Sequence, residues 1–340
     1  MPAERSPGAS DRSAAGLTRV CVIGAGSIGS LLAAHLSQVC EVWVLTRRAA
    51  QAERLRNEGL RVSGKSAFVG RPDATGDPAE LPAFDLGIFA VKAIHLDEAA
   101  GRLEGVARDA TMMTIQNGLG AEEVVARHGD WPLISAVTFM SGNRHSDVHV
   151  EYELDTATWL GPWAGTRTPL DRVQAVGELI NASGLHAQWM ADLLPAQWSK
   201  LIFNSAVNGV AALTGLPHVS LFADEADPPA LGPVVRALVD EGKAVAAAAG
   251  IELYEDPWEM NVLAVARGET NASDYAHLPS MLEDVLARRP TEVDFIAGAI
   301  VREAAKHGVE VPVTAAVHRL VKGKEASWSL RRRNLQEVSA

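Results

Sequence analysis

The feature that most constrains the fold of this chain is a glycine-rich loop that stands between a short apolar run and a helical pattern. Residues 19–24, "RVCVIG", are rich in β-branched residues and are typical of a buried strand. The loop "GAGSIG" overlaps the end of this run, and residues 30–38 then have helical periodicity. A strand, a GxGxxG loop and a helix in this order form the fingerprint of dinucleotide binding. The order predicts a Rossmann-type α/β domain, and the alternative is a fortuitous glycine-rich turn.

Each glycine of this loop has an expected role. The first makes the tight turn, the second lets the backbone approach a pyrophosphate, and the third lets the helix pack closely on the strand. The amides at the helix N-terminus then face the phosphates. The loop residues expected to contact the cofactor are Gly24, Gly26, Ser27, Ile28 and Gly29.

The second predicted strand, "EVWVLT" at residues 41–46, is followed by Arg47 and Arg48. NAD-binding domains usually place an acid there, which binds the ribose 2′-hydroxyl and would repel a 2′-phosphate. An arginine pairs with that phosphate instead. The sequence therefore predicts NADPH as the cofactor, with Arg47 as its main phosphate contact. The alternative is a solvated pair of surface arginines.

Two further polar residues follow predicted strands of the same domain. Residues 84–93 read as a strand running into a loop that holds Lys92, and residues 111–120 as a strand that ends at Asn117. In a doubly wound sheet, ligands lie beyond the carboxyl ends of the strands. Both residues are therefore candidate ligand contacts, although an exposed lysine and a turn-forming Asn-Gly pair would look the same.

A buried helical pattern at residues 197–215 carries a row of polar residues. Lys200, Asn204 and Asn208 recur every four residues within it. A step of four residues drifts only about 40° around a helix, so the three side chains share one face. The spacing shows that an amine heads a polar row in an apolar helix, and leaves the reason open.

Composition excludes several classes of function. The chain has 340 residues, a formal net charge of −11 and two cysteines, so the basic footprint of a nucleic-acid-binding protein is missing. No cysteine spacing indicates a metal site, and the cysteine count is typical of a reduced, cytoplasmic protein. No apolar run is long enough to span a membrane. Residues 1–17 are small and polar, and are expected to form a disordered leader.

The predicted organisation is a Rossmann domain at residues 18–192, a helical domain at 193–330 and a tail at 331–340. Two polar residues of the helical half have structural alternatives. Ser280 precedes a helical pattern and could merely begin a helix. Glu292 follows Pro290 and is expected in the first turn of the next helix, where the helix dipole favours a carboxylate.

Taken together, these residues resemble those of the ketopantoate reductase (2-dehydropantoate 2-reductase) family. The resemblance covers residues 18–325, and the segments that carry it are "VIGAGSIGS", "VKA", "IQNGLG", "KLIFNSAVNGVAALTG" and "SMLEDVLARRPTEVDFIAGAIVREAAKHGVEVP". The last segment is the most specific, because it combines Ser280, Asp284 and Glu292. The resemblance implies a Rossmann domain followed by a helical domain similar to the C-terminal domain of 6-phosphogluconate dehydrogenase, with the active-site cleft between them.

The family reduces a 2-oxo acid to a 2-hydroxy acid with NADPH. The resemblance implies that Lys200 is the acid that protonates the carbonyl oxygen and that Glu292 binds the substrate hydroxyl. A positioned ammonium can stabilise the alkoxide that hydride attack produces, and an apolar surrounding should lower the lysine pKa. The resemblance also implies roles in binding: Asn204, Asn208 and Ser280 for the substrate, Asn117 for substrate and cofactor, and Arg47 and Lys92 for the NADPH phosphate and ribose.

The segment at residues 146–161 departs from the family pattern. His149 is in place, but Glu151, Glu153 and Asp155 stand where family members commonly have glycines, and Pro279 replaces a serine. Three acids near the expected cleft would repel an anionic substrate unless they face away. The departure leaves the chemistry intact and places the substrate in question.

Several alternatives therefore stay open beside the reduction of ketopantoate. A reductase of the same family could act on another 2-oxo acid or an imine. A β-hydroxyacid dehydrogenase would share the two domains and a lysine with an asparagine four residues later, but the segment with Ser280 and Glu292 argues against it. A non-enzymatic NADPH sensor is a further alternative, against which the intact set of Lys200, Asn204, Asn208 and Glu292 argues. The apolar helices of the second half would suit a homodimer or equally a helical core.

Overall fold

The computed structural model describes residues 16–218, 231–270 and 278–338. The chain divides into two compact units, and two short segments of the first half belong to the second unit. The first unit comprises residues up to Val91, His95–Gln116 and Glu122–Leu193, and the second comprises Lys92–Ile94, Asn117–Ala121 and the chain from Leu194 onward. An α/β first half and a helical second half agree with the predicted fold class.

The first unit is built on a sheet of eight strands in the order β12-β11-β8-β7-β6-β1-β2-β5. The strands β5, β2, β1, β6, β7 and β8 are parallel, and β11 runs antiparallel to β8. The eight strands are β1 (Arg19–Ile23), β2 (Glu41–Leu45), β5 (Asp73–Thr75), β6 (Leu86–Phe89), β7 (Thr111–Thr114), β8 (Leu133–Thr138), β11 (Thr158–Pro162) and β12 (Ala187–Trp189).

This strand order positions the glycine loop. The six parallel strands follow the order of a classical dinucleotide fold, in which the ligand binds where the order reverses beside the first strand. Here that point lies between β1 and β6, which pair in parallel from Val20 with Leu86 to Ile23 with Phe89. Strands buried on both faces need continuous apolar runs, and β6 and β7 are buried along their whole length.

A smaller sheet of four strands completes the first unit, in the order β4-β3-β10-β9. Its strands are β3 (Leu60–Gly64), β4 (Phe68–Gly70), β9 (Ser141–Ser146) and β10 (His149–Leu154). The helices of the unit are α1 (Ser27–Leu36), α2 (Ala49–Glu58), α3 (Leu96–Gly101), α4 (Ala121–Val125), whose first residue belongs to the second unit, and α5 (Leu170–Ala182), with a 3₁₀ turn at Pro78–Glu80. A second 3₁₀ turn, Ala93–His95, begins in the second unit and ends in the first. The side chains of α1 contribute to one apolar core with both sheets.

The second unit consists of helices around an apolar core of its own. Its helices are α6 (Leu194–Thr214), α7 (Leu231–Ala248), α8 (Pro257–Thr270), α9 (Ser280–Leu286), α10 (Ala297–His307) and α11 (Pro312–Val338). The helix α6 contains the predicted polar row and packs against α7, α9 and α11. Gly308 ends α10 with a left-handed conformation at φ +68°, as a C-terminal glycine commonly does.

A leader was predicted at the beginning of the chain and a tail at its end. Residues 1–15 of the predicted leader lie outside the described residues, as do Ser339 and Ala340 of the predicted tail. The tail was expected to begin at residue 331, but the last helix continues past that point to Val338. None of the helices described is both long and apolar enough to cross a membrane.

Candidate active site

The loop after β1 has the geometry that a dinucleotide pyrophosphate requires. Gly24 has φ +103°, and a Cβ there would lie 2.6 Å from Val91 Cγ1. A Cβ on Gly29 would lie 2.0 Å from the Gly24 carbonyl oxygen, so this glycine allows α1 to pack on β1. Gly26 is exposed, and its Cβ would meet only the Ala90 oxygen at 3.9 Å. The open approach at Gly26 and the N-terminus of α1 beside it fit a bound phosphate.

The two arginines after β2 differ in their surroundings. The side chain of Arg47 is exposed and makes no ion pair or hydrogen bond within the described residues. Arg48 binds the carboxylate of Asp147 and donates to Gln51 Oε1 at 3.2 Å. The exposed guanidinium of Arg47 is therefore the one still available to a ligand at the end of β2.

The polar row predicted in the second half lies on α6. Lys200, Asn204 and Asn208 are all buried on this helix, each less than a tenth exposed. Neither asparagine amide hydrogen-bonds to another described residue, yet neither is sealed from solvent. Polar groups this deeply placed normally have partners. The predicted ligand contacts of the two amides stay a prediction, and their lack of partners among the described residues is compatible with it.

Burial and one neighbouring charge set the protonation of Lys200. Removal from water disfavours the ammonium and lowers the pKa of Lys200 from 10.5 to about 8, while the nearby Glu292 carboxylate opposes part of this fall. The expected fall in the lysine pKa is confirmed. A lysine with a pKa close to neutral can both hold and release a proton under physiological conditions.

The position of Glu292 differs from its prediction. It does not lie in the first turn of a helix, because α10 begins only at Ala297 and Glu292 precedes it in a non-helical turn. Glu292 Oε1 accepts the backbone N–H of Ala93 at 2.8 Å. Burial raises the pKa of Glu292, against the Ala93 N–H and the positive charges of Lys92 and Lys200. The dipole of α10 is thus not what places this carboxylate.

Residues 291–296 form a turn, here called the Glu292 turn, that is held by the two short segments which join the second unit. The Ala93 N–H binds Glu292, and the Leu119 N–H donates to the Phe295 carbonyl at 3.0 Å. Gly118, with φ +99°, allows this approach, since a Cβ there would lie 2.0 Å from the Phe295 oxygen. These contacts with the Glu292 turn explain why the short segments that follow β6 and β7 group with the second unit.

The Glu292 turn is also bound by helix α11. Glu325 Oε1 accepts both the N–H and the hydroxyl of Thr291 at 2.7 Å. Asp294 accepts from His318 at 2.7 Å and from Lys322 at 2.8 Å. The carboxylate of Glu292 is therefore presented by a turn whose flanking residues are fixed on both sides.

Lys92 is paired with the carboxylate of Asp284, for which no role was predicted. Lys92 Nζ binds Asp284 Oδ2, and Arg289 Nε donates to Asp284 Oδ1 at 3.0 Å. Asp284 is only 2% exposed, whereas both cations are partly exposed. One buried carboxylate thus orients two cations beside the Glu292 turn. Asp284 lies 192 residues from Lys92, so only its place in the family segment could have drawn attention to it.

The remaining predicted residues of the second unit are less buried. Ser280 is exposed at the first residue of α9, and its hydroxyl makes no hydrogen bond to a described residue. Asn117 is half-buried and stands beside Gly118. The second unit thus groups Lys92, Lys200, Asp284 and Glu292 by direct contact or by charge. Among the described residues, no side-chain hydrogen bond joins Ser280 to them.

Two of the three acids of the unusual 146–161 segment, Glu151 and Asp155, bind partners within the first unit. Glu151 lies 2.8 Å from the ring of His145, and Asp155 accepts the Tyr152 hydroxyl at 2.6 Å. His149, also in this segment, bonds to Ser63 at 2.9 Å. Local pairing therefore offsets part of the negative charge that these acids add.

Comparison with known families agrees with this arrangement. Residues 20–165 match the family model described as "Ketopantoate reductase PanE/ApbA", and residues 192–325 match "Ketopantoate reductase PanE/ApbA C terminal". The glycine loop and Arg47 fall within the first match, and Lys200 and Glu292 within the second. Together the two matches cover most of the chain.

Individual relatives and solved structures extend this similarity over both units. The 2-dehydropantoate 2-reductase of Halobacterium salinarum is 30% identical over 89% of this chain and 98% of its own, and that of Archaeoglobus fulgidus is 29% identical over 91% and 98%. A crystal structure of 2-dehydropantoate 2-reductase from Methylococcus capsulatus is 28% identical, with a TM-score of 0.76 over 91% of this chain and 97% of that one. A ternary structure of D-mandelate dehydrogenase with NADH and anilino(oxo)acetate has the same fold, with a TM-score of 0.79 at 22% identity over 91% and 99%. The chain belongs to the ketopantoate reductase family.

Proposed function

We propose that this protein is an NADPH-dependent reductase that converts 2-dehydropantoate to pantoate. The observation that carries the proposal is the buried Lys200, whose pKa burial lowers to about 8 although the charge of Glu292 opposes part of this fall. A fully solvated lysine would hold its proton too tightly at neutral pH to be an efficient acid. Family membership supplies the oxidoreductase activity, the nicotinamide cofactor and a small-molecule substrate.

The chemistry follows from the groups on α6 and the Glu292 turn. When bound, the cofactor supplies a hydride to the C2 carbonyl carbon of the substrate. The ammonium of Lys200 stabilises the negative charge that develops on the carbonyl oxygen and donates the proton that completes the hydroxyl. The amides of Asn204 and Asn208 bind the substrate, and Glu292 accepts a hydrogen bond from the new hydroxyl. The products are the 2-hydroxy acid and the oxidised cofactor, and Lys200 regains its proton from solvent.

The choice of NADPH rests on the end of β2. Arg47 is exposed and uncommitted, and no acid follows the strand to bind a ribose 2′-hydroxyl. The fold by itself does not decide the cofactor, since the D-mandelate dehydrogenase structure of the same fold contains NADH. We expect kcat/KM with NADPH to exceed that with NADH by about tenfold or more, the typical worth of a charge-assisted hydrogen bond to a phosphate.

A second candidate is a reductase of the same chemistry acting on a different 2-oxo acid or an imine. The unusual 146–161 segment favours it, because three acids replace residues that are commonly glycine. The pairing of Glu151 with His145 and of Asp155 with Tyr152 weakens the electrostatic objection to an anionic substrate. Ketopantoate therefore remains the first substrate to test.

The deciding experiment is a cofactor-oxidation screen with ketopantoate, other 2-oxo acids of graded size and a cyclic imine. The proposal expects ketopantoate to give the highest kcat/KM, above about 10⁴ M⁻¹s⁻¹. A higher value for another 2-oxo acid would select the second candidate. Tight NADPH binding without turnover of any compound would instead indicate a sensor. Lys200→Met, which should bind NADPH but not turn over, controls for contaminating reductases.

We also propose that the protein is cytoplasmic and forms a homodimer. Cys21 and Cys40 are free thiols, in keeping with the proposed cytoplasmic location. Light scattering of the purified protein would test the proposed homodimer.

A further inference from the structure

The turn between β9 and β10 contains an acid that binds the second of the two arginines after β2. Asp147 is the first residue beyond β9, within the 146–161 segment that departs from the family pattern. Its Oδ1 binds the guanidinium of Arg48 and also accepts from Arg144 at 3.0 Å. The hydrogen bond from Arg48 is the main reason why the pKa of Asp147 lies below its usual range. The carboxylate is therefore ionised and occupied throughout the physiological range.

Arg48 is also fixed from the other side. Its Nη2 donates to Gln51 Oε1 at 3.2 Å, and Gln51 Nε2 donates to the carbonyl of Ala25 at 3.3 Å. Ala25 belongs to the glycine loop. A line of polar contacts thus runs from the β9–β10 turn through Arg48 to the loop that fits the pyrophosphate. Arg47, one residue earlier, has no such partners among the described residues.

We propose that Asp147 is a determinant of cofactor selectivity, which withholds Arg48 from the 2′-phosphate of NADPH and leaves Arg47 as the single arginine that binds it. The inference rests on the proposed use of NADPH. Two adjacent arginines would otherwise both be drawn to the phosphate. Asp147 opposes this because its carboxylate already binds the Arg48 guanidinium, which the phosphate would otherwise attract.

The test is a binding cycle, measured by fluorescence titration of the full-length protein with NADPH and with NADH. Asp147→Asn should lower the Kd for NADPH by about two- to fivefold, the range expected when an exposed ion pair is released. The Kd for NADH should change by less. Arg48→Ala alone should leave the Kd for NADPH within about twofold of wild type. The double variant should lose the gain seen in Asp147→Asn.

Three results would overturn the inference: an unchanged or raised Kd for NADPH in Asp147→Asn, a loss of affinity in Arg48→Ala as large as that in Arg47→Ala, or a gain that survives in the double variant. The first two would mean that Asp147 supports the fold or aims Arg48 at the phosphate. Thermal unfolding of each variant controls for damage to the first unit.

The same titrations separate this inference from the proposed function. Arg47→Ala should raise the Kd for NADPH by about tenfold or more and leave that for NADH nearly unchanged. If wild type binds NADH more tightly and Arg47→Ala has no effect, the proposed cofactor is wrong. A gain in NADPH affinity in Asp147→Asn that depends on Arg48 would still support the role of Asp147.

Discussion

The pH dependence of the reaction is the sharpest test of Lys200 as the acid. Burial lowers its pKa from 10.5 to about 8, which corresponds to roughly 3 kcal/mol of lost preference for the ammonium. At pH 7 the ammonium would still be about nine-tenths populated. Lys200 would therefore be charged when substrate arrives, and more acidic than a solvated lysine.

The direction of the pH dependence follows from which protonation state of Lys200 is active. Only the ammonium can donate the proton, so kcat/KM should be constant below pH 7 and fall about tenfold per pH unit well above the pKa. The midpoint of this fall is expected at about pH 8. A lysine with an ordinary pKa would place the midpoint at about 10.5.

The neighbouring carboxylate provides a second measurement. The charge of Glu292 opposes the fall in the Lys200 pKa, so Glu292→Gln should move the midpoint to lower pH, besides lowering kcat. Lys306→Met is the control, because Lys306 is exposed and, in the part of the chain that the structure describes, pairs with Glu303 alone. That variant should leave both the midpoint and kcat/KM unchanged.

The assay is the initial rate of NADPH oxidation at subsaturating ketopantoate across pH 6 to about 10.5, with NADPH held well above its Kd at each pH. NADPH titrations over the same range show whether cofactor binding contributes to the fall. A midpoint near that of an ordinary lysine would refute the role assigned to burial. A midpoint near pH 8 that stays in place in Glu292→Gln would mean that another group is titrating.

Three further predictions concern the cofactor loop, acid stability and the Glu292 turn. Gly26→Ala should fold normally and weaken NADPH binding in titrations, whereas Gly29→Ala should lower the thermal unfolding temperature, because its Cβ would lie 2.0 Å from a loop carbonyl. His35 is buried, and burial lowers its pKa. His35 therefore binds a proton more readily in the unfolded chain than in the folded one. The free energy of unfolding, measured in urea, should fall as the pH drops through about 6.5, and this fall should be smaller in His35→Gln. Glu325→Ala leaves two donors of the Glu292 turn without an acceptor, and should therefore cost about 2 kcal/mol of stability and lower kcat. Glu325→Gln keeps an acceptor and should retain most of the stability and of kcat. An unchanged kcat in Glu325→Ala would show that Glu325 does not position Glu292.

The sequence predicted those parts of the fold whose signals are local. The glycine loop, the apolar strands around it and the helix at 197–215 each depend on residues close in the chain, and the first strand and this helix were confirmed as β1 and α6. The four-stranded sheet was not predicted. It pairs β3 with β10 in parallel, Val62 with Val150, and no local pattern specifies a partner so far away in the chain.

The same distinction applies to the candidate site. Helical spacing placed Lys200, Asn204 and Asn208 on one face, because a helix fixes the relation between residues four apart. Glu292 was expected on a helix since an acid after a proline is typical of a first turn. The contacts of Glu325 with Thr291 and of Ala93 with Glu292 hold an irregular turn there instead. Such contacts join distant segments, and local propensity carries no information about them.

Burial shifts the pKa values of Lys200 and Glu292, the two groups proposed to act on the substrate oxygen, in opposite directions. It lowers the pKa of Lys200 and raises that of Glu292, while the attraction between their charges opposes both shifts. The state in which both groups are charged and the state in which both are neutral are thereby brought closer in free energy than they would be in water. An oxygen that gains negative charge beside Lys200 then competes for a proton that the lysine holds less firmly than usual. The same burial that makes this pair costly for folding is what makes Lys200 an effective acid, so a variant that exposes the pair to water should be slower even if every side chain of the site is kept.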